Sequence, residues 1–329
     1  MKHAFVTGGS GFLGANLVEQ LKADGWRVTA MHRRTSNTDR LRSMGAELVE
    51  ASLDDPDSLR TAIPDHIDAL FHMAANTSMW RGGNAQQWKD NVEGAANIAQ
   101  VAREKKVGRM IVTSSISAYG YHRETITEQS EKLADDPRHH YLYTKKREEI
   151  AVRNEIDKGL DAVFLNPCAV VGKYDTSSWA QTFFLIDKNQ LPGVPPGWGS
   201  FCHAGAVVRA HINAVEKGRC GENYILAGTD ASFLEFFGKI AELLHKPVPK
   251  RTTPALAIQS IAWISDLWSR MNGREPIITP EKATLVTRRV VANSAKAERE
   301  LGYQSTVALD TMLCECRDWL VEQNLLELQ

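Results

Sequence analysis

Short apolar runs alternate with stretches of helical period through the first half of the chain. Lys2–Thr7 is the first run. "FLGANLVEQLKADG" follows it, with Leu13, Leu17, Val18 and Leu21 at helical spacing and Gly25 at the stop. "WRVTAMH", "AELVEASL", "DALFHMAA", "RMIVTSS" and "DAVFLNP" are the later runs, and "NAQQWKDNVEGAANIAQVAREKK" is the longest helical stretch between them. This alternation predicts right-handed crossovers and an α/β fold, a doubly wound parallel sheet with helices on both faces. Beyond Pro167 the pattern changes. "LPGVPPGWGSF" is loop-like, "NYILAG" is a lone strand, and "SFLEFFGKIAELLHK", "PALAIQSIAWISDLWSRM" and "ALDTMLCECRDWLVEQNLL" are helical. The chain therefore divides into residues 1–167, the sheet domain, and residues 168–329, a smaller and mostly helical lobe from which some segments can return to the sheet. Ligands in such folds sit outside the carboxyl ends of the strands, here between the two parts.

Composition narrows the function. The 329 residues are 43% hydrophobic and 24% charged with a net charge of −1, which excludes a disordered chain and a basic nucleic-acid surface. No apolar run is long enough to span a bilayer, and the first residues lack a signal-peptide core. A cytoplasmic protein without a membrane partner is expected. The five cysteines are scattered and read as reduced thiols, with no metal site.

Gly8, Gly11 and Gly14 follow a predicted strand and open a predicted helix. In that context Gly8 allows a tight turn, Gly11 the approach of a pyrophosphate and Gly14 the packing of helix on strand. The first-turn N–H groups and the helix dipole favour the phosphates. After the second strand, "MHRRTSN" has no acid to hold ribose hydroxyls. Arg33, or failing it Arg34, suits a 2′-phosphate instead, so NADP(H) is favoured over NAD(H).

"TSSISAYG" (113–120) follows the fifth strand, and "YLYTK" (141–145) opens a helix. Tyr141 and Lys145 are four apart and share a helix face. A free tyrosine has a pKa of about 10, and a neighbouring ammonium favours its phenolate and suits it to proton transfer. Ser115 is placed to hydrogen-bond a reacting carbonyl or hydroxyl oxygen, with Ser114 as the alternative if the register shifts by one.

With these motifs in this order, the chain resembles the extended short-chain dehydrogenase/reductase superfamily over nearly its whole length. The resemblance rests on Thr7-Gly-Gly-Ser-Gly-Phe-Leu-Gly14, "HMAA" (72–75), "NVEGAAN" (91–97), "TSSISAYG", Tyr141-x-x-x-Lys145 and "LNPCAVVG" (165–172). "HRRTS" and "NPCAVVG" make it most similar to the dihydroflavonol-reductase-like branch and its bacterial relatives described as NAD-dependent epimerase/dehydratase. The resemblance implies a Rossmann-type sheet domain. It also implies a catalytic Ser115, Tyr141 and Lys145, and a cofactor lying along Ser10, Phe12 and Leu13 of the glycine loop. Leu53 and Asp54 would flank the adenine, and Ala74 and Ala75 the phosphate and ribose. Thr113 and Ser114 would lie at the fifth strand's end, Tyr141 and Lys145 would reach the nicotinamide ribose, and Pro167, Ala169 and Val170 would lie beside the nicotinamide. Asn91 is expected to brace the structure rather than react. Where relatives often carry an acid, the loop "HAGAVVRAH" (203–211) has Ala206.

Trp179, Phe183, Trp198, His203, Met79 and Trp80 can line a substrate pocket or serve packing equally well. His122, His139 and His140 are expected in a solvated loop. The leading reading is reduction of an aldehyde or ketone on a small molecule. A nucleotide-sugar epimerase or dehydratase with retained NAD is the alternative, and a non-catalytic dinucleotide sensor is a third. Relatives pair two sheet-face helices across a two-fold axis, so a homodimer is expected, although the charges of Lys145–Glu149 also allow a solvated face.

Overall fold

In the computed structural model, which describes residues 1–327, the apolar runs become strands of one sheet. The strands are β1 (His3–Thr7), β2 (Arg27–His32), β3 (Glu47–Glu50), β4 (Ala69–His72), β5 (Arg109–Thr113), β6 (Ala162–Pro167), β7 (Ala169–Val171), β8 (Trp198–His203), β9 (Asn223–Leu226), β10 (Thr229–Ser232) and β11 (Arg289–Val290). The helices are α1 (Phe12–Ala23), α2 (Asp39–Ser43), α3 (Pro56–Ala62), α4 (Asn84–Trp88), α5 (Gly94–Glu104), α6 (His140–Ile156) and α7 (Gln181–Asp187). They continue with α8 (Ala204–Lys217), α9 (Phe233–Leu243), α10 (Ala255–Asn272), α11 (Pro280–Val286), α12 (Ala295–Leu301) and α13 (Leu309–Glu322).

The large sheet runs β3-β2-β1-β4-β5-β6-β9, with every neighbouring pair parallel. Alternate side chains divide between two cores. Val6, Phe71, Ile111 and Leu165 pack with Leu17 of α1 and Val207 of α8. Phe5, Leu70, Val112 and Phe164 pack on the other face with Ile98 of α5 and Val152 of α6. A strand covered on both faces has no polar side, which is why these runs read as continuously apolar. Chain order reverses between β1 and β4, so the crevice outside the carboxyl ends opens there.

β9 is a return of the second half to the large sheet, beside β6. The expected loop at 203–211 is instead the start of α8. The His203 imidazole accepts the Ala206 N–H at 3.3 Å, and Val207, Val208 and His211 are buried behind it. A small sheet surrounds β8, with β7 and β11 parallel to it and β10 antiparallel. Trp179 packs there against Phe201, Phe233 and Phe236. The single helix expected over 84–106 is broken by a π-turn at Lys89–Glu93, between α4 and α5.

Candidate active site

The turn from β1 into α1 is built by its glycines. Gly8 has φ of +67°, and a Cβ there would stand 2.6 Å from the Ala74 amide nitrogen. A Cβ on Gly14 would stand 2.1 Å from the Gly8 carbonyl oxygen. Only glycine closes this loop on the end of β4. α1 begins at Gly11 with no side chain capping it and no acid in its first turn. Ser10 and Gly11 are exposed, and Phe12 and Leu13 are half-buried beside them. A cradle of amides without a carboxylate fits the diphosphate of a dinucleotide.

Arg33 and Arg34 lie just past β2, exposed, in a turn closed by the Ser36 N–H donating to the Arg33 carbonyl at 2.9 Å. Among the described residues neither guanidinium has an ion-pair partner. Leu53 and Asp54 follow β3, where the Leu53 carbonyl accepts the Asn97 amide at 2.8 Å. Ala74 and Ala75 follow β4, and the Ala74 N–H donates to Thr7 Oγ1 at 3.3 Å. Pro167 ends β6 and is buried, while Ala169 and Val170 of β7 are half-buried. All of these lie at the carboxyl end of the large sheet.

The two candidate serines part here. Ser114 donates to Glu149 Oε1 at 2.6 Å and faces the interior. Ser115 is half-buried, caps the turn that follows with its Oγ, and lies near enough to Tyr141 to favour its phenolate. Lys145 Nζ donates to the Thr113 carbonyl at 3.0 Å and forms an ion pair with Glu148. Burial pushes the Tyr141 hydroxyl above its ordinary pKa, although the Lys145 ammonium and Ser115 both favour the phenolate; Glu148 and Glu281 oppose them. Lys145 thus acts on this group in the expected direction, and burial opposes it as the larger effect.

The charges of Lys145–Glu149 do not form a solvated face, because Lys145, Glu148 and Glu149 are each 1% exposed. Burial acts to raise the Glu149 carboxyl, but the Lys132 ammonium and hydrogen bonds from Ser114 and Asn166 hold it below the usual range. Asn91 braces, as expected of it. Its Oδ1 accepts the Asn76 N–H at 2.7 Å and its Nδ2 donates to Thr144 Oγ1 at 3.2 Å, joining the loop after β4 to α6.

Glu281 of α11 carried no sequence signal. Its carboxylate accepts the backbone N–H groups of His140 at 3.1 Å and Tyr141 at 2.9 Å, so the C-terminal half caps the helix that bears the tyrosine. Met79 packs against Tyr141, Leu142 and Ala134. Trp179 and Phe183 belong to the core of the second half, His203 caps α8, and Trp198 is exposed on β8. The histidines depart from expectation. His122 bonds the carbonyls of Tyr119 and Glu131, His139 packs edge-on to Tyr121, and His140 bonds Gln87 Oε1 at 2.8 Å. All three are half-buried because the loop folds back on α6.

The model of the NAD dependent epimerase/dehydratase family matches residues 4–227. A protein from Methylococcus capsulatus named sterol demethylase protein B is 30% identical over 92% of this chain and 93% of its own length. A Synechocystis relative named for dihydroflavonol 4-reductase is 27% identical over 91% of this chain and 89% of its own. The crystal structure of gox2253 is similar at a TM-score of 0.85 and 27% identity, covering 99% of this chain and 100% of that one.

Proposed function

The chain belongs to the NAD dependent epimerase/dehydratase family and is an NAD(P)-dependent oxidoreductase of the extended short-chain type, and from that premise we propose that it reduces the carbonyl of a small molecule with NADP(H). The observation that carries this reading is the meeting of Ser115, Tyr141 and Lys145 beside a glycine cradle free of carboxylates. Gly8, Gly11 and Gly14 would hold the diphosphate, and Arg33 or Arg34 the 2′-phosphate. Bound there, the cofactor supplies a hydride from C4 of its nicotinamide.

The chain's own residues then handle the oxygen and the proton. Ser115 donates to the carbonyl oxygen and orients it. Tyr141 passes its hydroxyl proton to that oxygen as negative charge develops. Burial holds the proton on this phenol until the oxygen of the substrate takes it. Lys145 stabilises the phenolate left behind. A dehydratase would add an acid pair near the serine, and Ile116 and Ser117 stand there instead. The names of the two relatives point to sterol and dihydroflavonol chemistry, and that similarity favours a ring-bearing substrate here.

Turnover of a panel of cyclic ketones and aldehydes with NADPH and with NADH tests this, alongside mass spectrometry of any nucleotide that copurifies. NADPH-dependent reduction is expected, and Tyr141→Phe should slow it by about 100-fold or more while cofactor still binds. Tightly retained NAD without net turnover would instead favour the epimerase reading.

A further inference from the structure

α10 is apolar on both sides. Ile258 and Ala262 face inward and pack with Ala283 of α11, and Asp266 and Ser269 continue that buried stripe. The opposite face carries Leu256, Trp263, Ile264, Leu267, Trp268 and Met271, each more than half exposed. One exposed leucine is ordinary, but six large apolar side chains on one helix face call for an occupant.

Charge identifies that occupant. The sole carboxylate of α10, Asp266, is turned inward and held by Arg81 and Arg270. Lys250 and Arg251 precede the helix and Arg274 follows it, all exposed; Arg270 is taken up by Asp266, and Glu275 beside Arg274 is paired with Lys282. A second copy is poorly matched to this face. Paired antiparallel, the cations at one end meet the cations at the other; paired parallel, each set meets itself. An anionic lipid headgroup layer complements both ends at once. Among the described residues no helix is long and apolar enough to cross a membrane, so the fit is to a helix lying along the surface. Tryptophans are suited to that depth, with an apolar ring and a polar N–H.

We propose that α10 seats the protein on an anionic lipid surface, with Trp263 and Trp268 among the headgroups and the flanking cations on the phosphates. The seat is tied to the site. The Trp80 indole N–H donates to Ser269 Oγ at 2.8 Å, and Met79, its neighbour in the chain, packs on Tyr141. The expectation of no membrane partner weighed only the length needed to span; a surface seat needs no span.

Flotation of the full chain tests the proposal without any turnover, so its failure and that of the reductase reading are separate. Two vesicle types serve as probes, phosphatidylcholine alone and equal parts of phosphatidylcholine and phosphatidylglycerol. Binding to the mixed vesicles is expected, weakened by salt and accompanied by a blue shift in tryptophan emission. The double variant Trp263→Ser/Trp268→Ser should lower the partition constant by about tenfold or more. Lys250→Glu/Arg251→Glu should weaken binding to the anionic vesicles alone. All four side chains are exposed, so the melting temperature should not move. Absence of flotation with both vesicle types overturns the proposal, as does equal binding to both that the charge variants leave unchanged. A dimer in light scattering that the tryptophan variant turns to monomer also overturns it, and assigns the face to a second copy.

Discussion

Lys145 and Glu148 stand one turn apart on α6 and form an ion pair with both side chains 1% exposed. Apart from the Lys145 ammonium, neither oxygen of Glu148 has a partner among the described residues. Burial raises the carboxyl to about 7, with Lys145 drawing it down and Glu149 adding to the rise. Such a pair is held by geometry against a large desolvation cost, and removing either partner strands the other.

Lys145→Met should therefore destabilise the fold by about 3–5 kcal/mol; Glu148→Gln, which resembles the protonated carboxyl, should cost less at neutral pH, and the double variant should cost clearly less than the sum of the two. Urea unfolding of the four proteins measures the coupling. Strict additivity would mean that the pair contributes nothing as a pair. Turnover separates the two roles, since Lys145→Met should also weaken cofactor binding whereas Glu148→Gln should act chiefly through stability and the pH profile.

Glu281 ties α11 to the first turn of α6 through the amides of His140 and Tyr141. Glu281→Ala leaves these donors without an acceptor and should cost about 1–3 kcal/mol. It should also lower kcat while leaving the cofactor dissociation constant in place, because the displaced group is Tyr141. Burial raises this carboxyl to about 7, against backbone donors that favour its charge. In the unfolded chain it ionises near 4.5, so between 4.5 and about 7 the folded protein keeps a proton that the unfolded chain gives up. Its contribution is full below that window and is lost as pH rises through it. The stability difference between wild type and Glu281→Gln should fall across the same range, and a flat difference would show that Glu281 does not titrate there.

The glycine loop and the Tyr141–Lys145 spacing were legible because they are local. A left-handed Gly8 and a four-residue helix repeat leave their mark within a few positions. Glu281 left none, since it meets Tyr141 across 140 residues and looks like any acid at a helix start. Glu148 was in view but given no role, because a run of charges on a helix usually faces water and allowed a solvated face. Here the fold of β5 against α6 encloses it. The small sheet was hidden for another reason. β7 has three residues and β11 two, too short to show a period of two. Ser114 and Ser115 are neighbours whose exposures differ only because β5 ends at Thr113, a boundary that pattern alone places no better than within a few residues.

Arg33 and Arg34 are exposed and without an ion-pair partner at the end of β2, where no acid stands. If Arg33 holds the 2′-phosphate, Arg33→Ala should weaken NADPH much more than NADH. Losing a charge-assisted contact costs about 1.5–3 kcal/mol, which is roughly tenfold or more in the dissociation constant. Fluorescence titration of both nucleotides gives the ratio. Equal weakening of the two removes Arg33 from this role, and the same selective loss in Arg34→Ala alone moves it by one residue.

If the chain pairs through the helices named for a dimer, the outer face of α4 and α6 is the surface that would meet its copy. Trp88 stacks on Tyr143 with ring centroids 5.9 Å apart, and the Arg147 guanidinium lies 4.9 Å from the same ring. Ile150 follows at the next helical positions and is 39% exposed. This stripe lies opposite buried Lys145, Glu148 and Val152, so it can pack against its own copy across a two-fold axis without disturbing the site. Ile150→Asp would place two like charges at the centre of such a contact. It should raise the dimer dissociation constant by about tenfold or more, with the monomer still folded. Sedimentation equilibrium at micromolar concentration measures both proteins. A wild type that is wholly monomeric there would sink the dimer while leaving the chemistry intact, since Ser115, Tyr141 and Lys145 all come from one chain.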